Sequence, residues 1–360
     1  MAFERGVRNL LVECAGAQPG ERLVIFHEDP ALGFYEAGLH DALAEAMSGF
    51  GLDVRQMRVD FAPRDPTLSE PVRRALGEAD HALFLARLGD QLRFCAMPPG
   101  SRPIVSYAVD RRSFASEFAG ASYTGFVALK SALNELLAGA RHIRVTCPLG
   151  TDFSGALPTQ ESAEPPDVTI QRFPMTVFAP LDARGFAGKV ALGPYLLGTG
   201  SRYYEPYQLR LEQPVEAHFE AGRLLRFEGP ADARRSVEAH YRRVADEFGI
   251  DPDVVHSWHA GIHPACAFDG RIEDNFERWS GCAFGNPRIL HFHTCGDYAP
   301  GEICWNVFDP TILVDGLAIW RNGRIDIDQA PGVAAVLERS PELRALFDRP
   351  ERRIGLGADG

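Results

Sequence analysis

The feature that most constrains the fold is a strand–helix rhythm over the first 140 residues. Val7, Leu10, Leu11 and Cys14 recur at helical spacing over residues 4–16, and Arg22–Phe26 is a short apolar run of strand type. Helical spacing returns through Leu32, Tyr35, Leu39, Leu43 and Met47. Residues 54–59, 81–85 and 104–107 read as further strands. Residues 69–76 form a helix with Pro71 in its first turn, where proline is tolerated, and 123–137 form a longer one. Strands alternating with helices in this way specify parallel βαβ units. The first strand runs into His27-Glu28-Asp29-Pro30 rather than a Gly-x-Gly-x-x-Gly turn, which disfavours a dinucleotide cofactor.

After Gly139 the pattern changes to short strands separated by Pro and Gly, at 142–147, 151–154, 168–172, 176–179, 189–192, 208–211 and 215–219. Ala221-Gly222 and Asp315-Gly316 are tight-turn pairs between strands, and 231–248 is an amphipathic helix. The expected fold class is therefore an α/β N-terminal domain with a parallel sheet over 1–140, followed by a β-rich α+β domain over 141–330. Residues 331–360 read as a C-terminal tail, since Glu338, Glu342, Arg344 and Arg349 make it dense in charge and suggest a surface helix or loop.

Charge and cysteine use narrow the function classes. The 37 basic and 49 acidic residues give a net charge of −12 with no basic tract, which argues against nucleic acid or an anionic membrane as partner. Seven scattered cysteines without a Cys-x-x-Cys disfavour a disulfide framework and a zinc ribbon. No apolar run is long enough to cross a bilayer, and the first residues lack the apolar core of a signal peptide. A cytoplasmic protein acting on a small molecule is expected.

The chemistry is concentrated between Val254 and Asp315, where five of the 11 histidines fall between 256 and 293. Histidine is the commonest metal ligand and titrates near neutrality. Residues 289–296 read as a strand, so His291 and His293 share a face; Ala299-Pro300-Gly301 is a turn; 302–308 returns as a strand with Glu302 and Cys304 on one face. As a hairpin, this places two imidazoles opposite a carboxylate and a thiol, the ligand types of a small transition-metal site. His27, His40, His81, His142, His218 and His240 read as structural or exposed, and His256 as a loop or helix-end residue. Cys295 and Cys304 read first as small buried apolar residues. Arg202 with Tyr203-Tyr204 is a candidate pocket rim, weighed against an ordinary exposed strand.

Several phrases resemble the aminopeptidase T superfamily: Glu13 to Ile25 with its Gln18-Pro19-Gly20-Glu21, Arg144 to Phe153, Arg172 to Pro180, and Val314-Asp315-Gly316. Asp251 to Pro264 is similar to the segment that supplies an iron-binding histidine in the branch that includes 2,5-dihydroxypyridine 5,6-dioxygenase, with His259 at the matching position. The resemblance implies the two-domain fold, a homodimer or larger homo-oligomer, and a metal-dependent activity. Two departures stand out. Phe173-Pro174-Met175-Thr176 lacks the metal-binding glutamate of the peptidases, and Glu302-Ile303-Cys304 occupies the place of a His-x-Asp pair.

Together these readings predict one divalent metal held by His259, His293 and Glu302, with His263 or His291 moving protons. That set predicts iron(II) and ring-cleaving oxygen chemistry on a small polar substrate. A set that includes Cys304 predicts zinc and hydrolysis, because thiolate favours the softer ion. The third reading is a non-catalytic relative that keeps the fold without the site.

Overall fold

The computed structural model describes residues 2–62, 67–93, 95–158, 169–198, 201–297 and 299–356. Four strands, β1 (Arg22–His27), β2 (Asp53–Arg58), β3 (His81–Leu85) and β4 (Pro103–Ser106), alternate with helices. The helix Tyr123–Ala138 leads to β5 (Ile143–Thr146) and β6 (Asp152–Gly155). Next come β7 (Gln171–Phe173), β8 (Leu181–Asp182), β9 (Phe186–Ala191), β10 (Tyr195–Gly198), β11 (Gln208–Arg210), β12 (Glu216–Glu220), β13 (Arg223–Glu228) and the helix Ala231–Phe248. The chain then forms β14 (Val255–Ala260), the helix Phe276–Ala283, β15 (Ile289–Thr294), β16 (Ile303–Phe308), β17 (Thr311–Val314), β18 (Leu317–Arg321) and β19 (Arg324–Ile325).

The expected classes of both halves are found. The first unit holds a sheet in the order β2-β1-β3-β4-β7, with every pair parallel. Its central strands are buried runs, Leu23 to Phe26 and His81 to Leu85, as a sheet covered on both faces requires. The second unit holds two antiparallel sheets, β11-β10-β16-β15-β14-β8 and β13-β12-β9-β6-β5-β17-β18-β19. Both predicted tight turns form. Ala221-Gly222 and Asp315-Gly316 have φ of 49° and 75°, and of 48° and 86°, the left-handed pairs that a two-residue hairpin turn demands.

The division is not one cut near residue 140. The compact units are Met1–Phe126 with Ser162–Met175, and Val127–Glu161 with Thr176–Gly360. The reason is pairing: β7 adds to the open edge of β4, with Val105 opposite Arg172, so the chain returns to the parallel sheet after starting the second unit. The predicted strand at 168–172 becomes 171–173, its first residue lying outside the described residues. Residues 176–179 form only an isolated bridge, Val177 to Gly261. The C-terminal region, read as a tail with a surface helix or loop, is helical but is anchored in the core. It contains the helices Pro331–Glu338 and Pro341–Asp348, and Leu337, Leu343 and Ile354 are fully buried. Beyond them, Phe268 N donates to Arg353 O at 2.9 Å, Trp279 Nε1 to Ile354 O at 2.5 Å and Asn286 Nδ2 to Glu351 O at 3.0 Å. The charges there belong to the outward side of a segment whose apolar residues are core.

The two antiparallel sheets pack face to face through aromatic side chains. Phe153 of β6 meets Trp258 of β14 and Phe292 of β15 at ring-centroid distances of 5.4 and 5.1 Å, and Phe219 of β12 meets Trp305 of β16 at 6.2 Å. Because side chains alternate along a strand, the residues on either side of Trp258, Phe292 and Trp305 point to the opposite face. That outer face is also covered: Tyr195, Ile289 and Phe308 pack on it with Trp279 of the helix Phe276–Ala283, together with Ile354.

Two outcomes test this packing. Ile354→Ala should cost about 2–5 kcal/mol in denaturant unfolding, the range for an apolar side chain removed from a packed core; a change near zero would return residues 349–356 to the status of a tail. His240, buried on the helix Ala231–Phe248, has its pKa lowered to about 4, first by burial and then by Arg243. Between pH 6.5 and about 4 the unfolded chain therefore takes up a proton that the folded chain refuses, so stability falls as the pH drops through that window. In His240→Gln, urea midpoints measured across the window should depend less on pH.

Candidate functional site

Three neighbouring strands build the site on the outer face of the six-stranded sheet. In the β14–β15 pair His259 lies opposite His291 and Ser257 opposite His293; in the β15–β16 pair His291 lies opposite Asn306 and His293 opposite Cys304. β8 brings Asp182 beside Ser257. The face therefore carries two polar rows, one of Asp182, Ser257, His293 and Cys304, the other of His259, His291 and Asn306. The predicted hairpin forms, and β15 stops after Thr294 because Cys295 and Gly296 take φ of 61° and 98°.

The three imidazoles converge through their Nε2 atoms. His259 Nε2 lies 2.6 Å from His291 Nε2 and 3.2 Å from His293 Nε2. All three offer a ligand atom within 4.8 Å of the others. His259 and His291 are buried and His293 nearly so. Phe284, just past the helix Phe276–Ala283, lies against His291 with ring centroids 4.5 Å apart.

The far side of two rings decides where their protons sit. His259 Nδ1 is 3.1 Å from the carbonyl oxygen of Phe178, which can only accept, so Nδ1 carries the proton. His293 Nδ1 faces the Glu302 carboxylate at 3.4 Å, which favours the same tautomer. In the neutral rings both Nε2 lone pairs then point into one small space, an arrangement that a proton or a cation between them relieves. Two metal–nitrogen bonds of about 2.0–2.1 Å, at angles between octahedral and tetrahedral, place their nitrogens about 2.8–3.4 Å apart. The His259–His293 separation falls in that range and the His259–His291 separation lies just below it. The donor set thus fits one small divalent cation, with Phe178 O and Glu302 orienting the rings from behind, as the outer partners of metal-bound histidines commonly do.

The structure brings four of the five predicted residues together, in an arrangement that differs from the expected one. His291 stands among the converging imidazoles, whereas Glu302 meets His293 at Nδ1, away from the point of convergence. His263 is fully buried on the loop after β14; its Nδ1 accepts from Ala265 N at 3.3 Å and its backbone N donates to Gly285 O at 2.9 Å. His256 is not in a loop but in β14, where the pairing with β15 slips between Val255 and Ser257. Burial lowers its pKa, against the opposing pull of Glu302. Tyr203 and Tyr204 are buried rather than a rim: Tyr204 donates to the backbone oxygen of Glu302 at 3.1 Å. Asn306, Phe178 and Phe284 were not singled out from the sequence. Only Asn306 had a usable signal there, its even spacing from Cys304 along β16.

No protein-family model matches the chain, and no curated protein matches it by sequence. Solved structures do share its fold. A 2,5-dihydroxypyridine dioxygenase from Pseudomonas putida superposes with a TM-score of 0.60 at 13% identity, over 91% of this chain and 98% of that one. Wild-type AmpT from Thermus thermophilus superposes with a TM-score of 0.50, again at 13% identity, over 91% of this chain and 99% of that one. The chain has the architecture common to these two proteins, as the motifs from Glu13 to Gly316 led one to expect.

Proposed function

We propose that the protein is a metal-dependent enzyme acting on a small polar substrate, with one divalent ion held by His259, His291 and His293. The observation that carries this reading is the meeting of three Nε2 atoms, two of them on rings whose Nδ1 atoms face Phe178 O and the Glu302 carboxylate. An ion on three protein ligands keeps positions open for a substrate. Iron(II) would let a small polar ring pass its electrons to oxygen as the ring opens, whereas zinc would supply Lewis acidity for hydrolysis.

The protein's own part is to keep the three imidazoles oriented and largely shielded from water. The Glu302 carboxylate, 3.4 Å from His293 Nδ1, favours a proton on that nitrogen. His263 accepts at Nδ1 from Ala265 N and so carries its proton on Nε2, the tautomer that a proton-moving role assigned to it would use. A ring-cleaving dioxygenase is the preferred activity, supported by the fold shared with the dihydroxypyridine enzyme. The all-histidine donor set favours a second reading, a zinc-dependent hydrolase or aminopeptidase, because three histidines also make a catalytic zinc site. A single small-molecule site of this kind needs neither nucleic acid nor membrane, and a homodimer or larger homo-oligomer remains part of the proposal.

Metal analysis and turnover test these readings. The purified protein should hold about one iron or zinc per chain. His259→Ala, His291→Ala and His293→Ala should each weaken binding roughly a hundredfold or more in chelator competition, and Glu302→Gln roughly ten- to a hundredfold. An unchanged affinity in His291→Ala would remove that residue from the ligand set. Cys304→Ser should retain the metal; loss of a bound zinc would place the thiolate among the ligands instead.

Oxygen uptake with dihydroxypyridines or catechols, measured on the iron(II)-loaded protein, should exceed amide hydrolysis by the zinc-loaded protein. The reverse result would select the hydrolase.

A further inference from the structure

We infer that Asn306 is a positioning residue for His291, its Oδ1 receiving the His291 Nδ1–H when a metal ion is bound. This rests on the metal reading given above and adds to it a residue outside the ligand set. Asn306 is completely buried on β16, directly across from His291 and on the same face. Its amide orientation is fixed by one bond: Nδ2 donates to Tyr195 O on β10 at 3.0 Å. β10 and β15 flank β16 on opposite sides, so an amide that turns its nitrogen toward β10 turns its oxygen toward β15 and His291. Oδ1 has no hydrogen-bond partner among the described residues. A buried carbonyl oxygen left in that state is unusual and calls for a physical reason.

The spacing of the imidazoles supplies one. His259 Nε2 and His291 Nε2 are 2.6 Å apart, closer than the roughly 2.8–3.4 Å that two nitrogens take up on one ion. His259 is tied at Nδ1 to Phe178 O, so the His291 ring has to give way. Moving away from β14 takes it toward β16, where Oδ1 of Asn306 is placed. His259 and His293 already have acceptors behind Nδ1, in Phe178 O and Glu302; Asn306 completes the pattern for the third ring. Such outer partners fix tautomer and ring direction, and their loss typically weakens metal binding about ten- to a hundredfold.

Two variants separate the oxygen from the nitrogen of this amide. Asn306→Asp keeps an acceptor at the same place and loses the bond to Tyr195 O. Asn306→Leu, of similar size, loses both, and Asn306→Ala serves in its place if leucine does not fold. The unsubstituted protein and the variants are stripped of metal and titrated with cobalt(II), following affinity and the visible absorption bands, which report ligand geometry. Asn306→Asp should stay within about threefold of the unsubstituted protein with its bands in place, while the leucine or alanine variant loses about ten- to a hundredfold and shifts them. Equal affinity and bands in all forms would overturn the inference and leave the metal site standing. Equal loss in the aspartate and leucine variants would also overturn it, since the bond to Tyr195 O would then be what matters. Failure of the unsubstituted protein to bind cobalt would overturn the metal reading itself.

Discussion

The second unit depends on the two-residue period of β14, β15 and β16 and on the fact that both faces of their sheet are covered. Trp258, Phe292 and Trp305 form part of the aromatic layer against the eight-stranded sheet, and this layer locks the register. The same register then forces His259, His291, His293, Cys304 and Asn306 to the other side, beneath Phe284 and the helix that precedes it. A slip by one residue would exchange tryptophan for histidine in the sandwich. The apolar core and the polar site are two readings of one alternation, so selection on either constrains the other.

A buried face carrying three imidazoles is costly unless its polar atoms are satisfied. The structure meets that requirement mostly with groups from elsewhere in the chain. Phe178 O comes from the segment before β8 and Glu302 from the residue before β16. These contacts orient His259 and His293 in advance, so binding energy need not be spent on ordering those two rings.

Local pattern made much of this legible. The βαβ rhythm identified the parallel sheet, the Gly-containing pairs identified two hairpins, and strand period placed His291 and His293 on one face. What remained hidden depends on pairing between distant segments. His259 and His291 are 32 positions apart, and nothing in either strand states that they lie opposite one another. The carbonyl of Phe178 has no sequence signature at all, because any residue there presents the same oxygen. The charges of 338–349 drew attention to the solvent side of that segment and away from Leu337, Leu343 and Ile354, which lie in the core. Strand β7 was recognised as a strand, but an edge strand can join either unit, and only the free edge of β4 decides the matter.

The excursion of β7 into the first unit makes the two units topologically interleaved, since the backbone passes between them three times. No single scission yields two complete pieces: a break between 126 and 162 strands the edge of the parallel sheet with the wrong fragment. Gene fusion and domain shuffling, which act by single joins, therefore have no clean seam here. The pair would be inherited as one block, and divergence in such a block proceeds by replacing side chains on a shared frame.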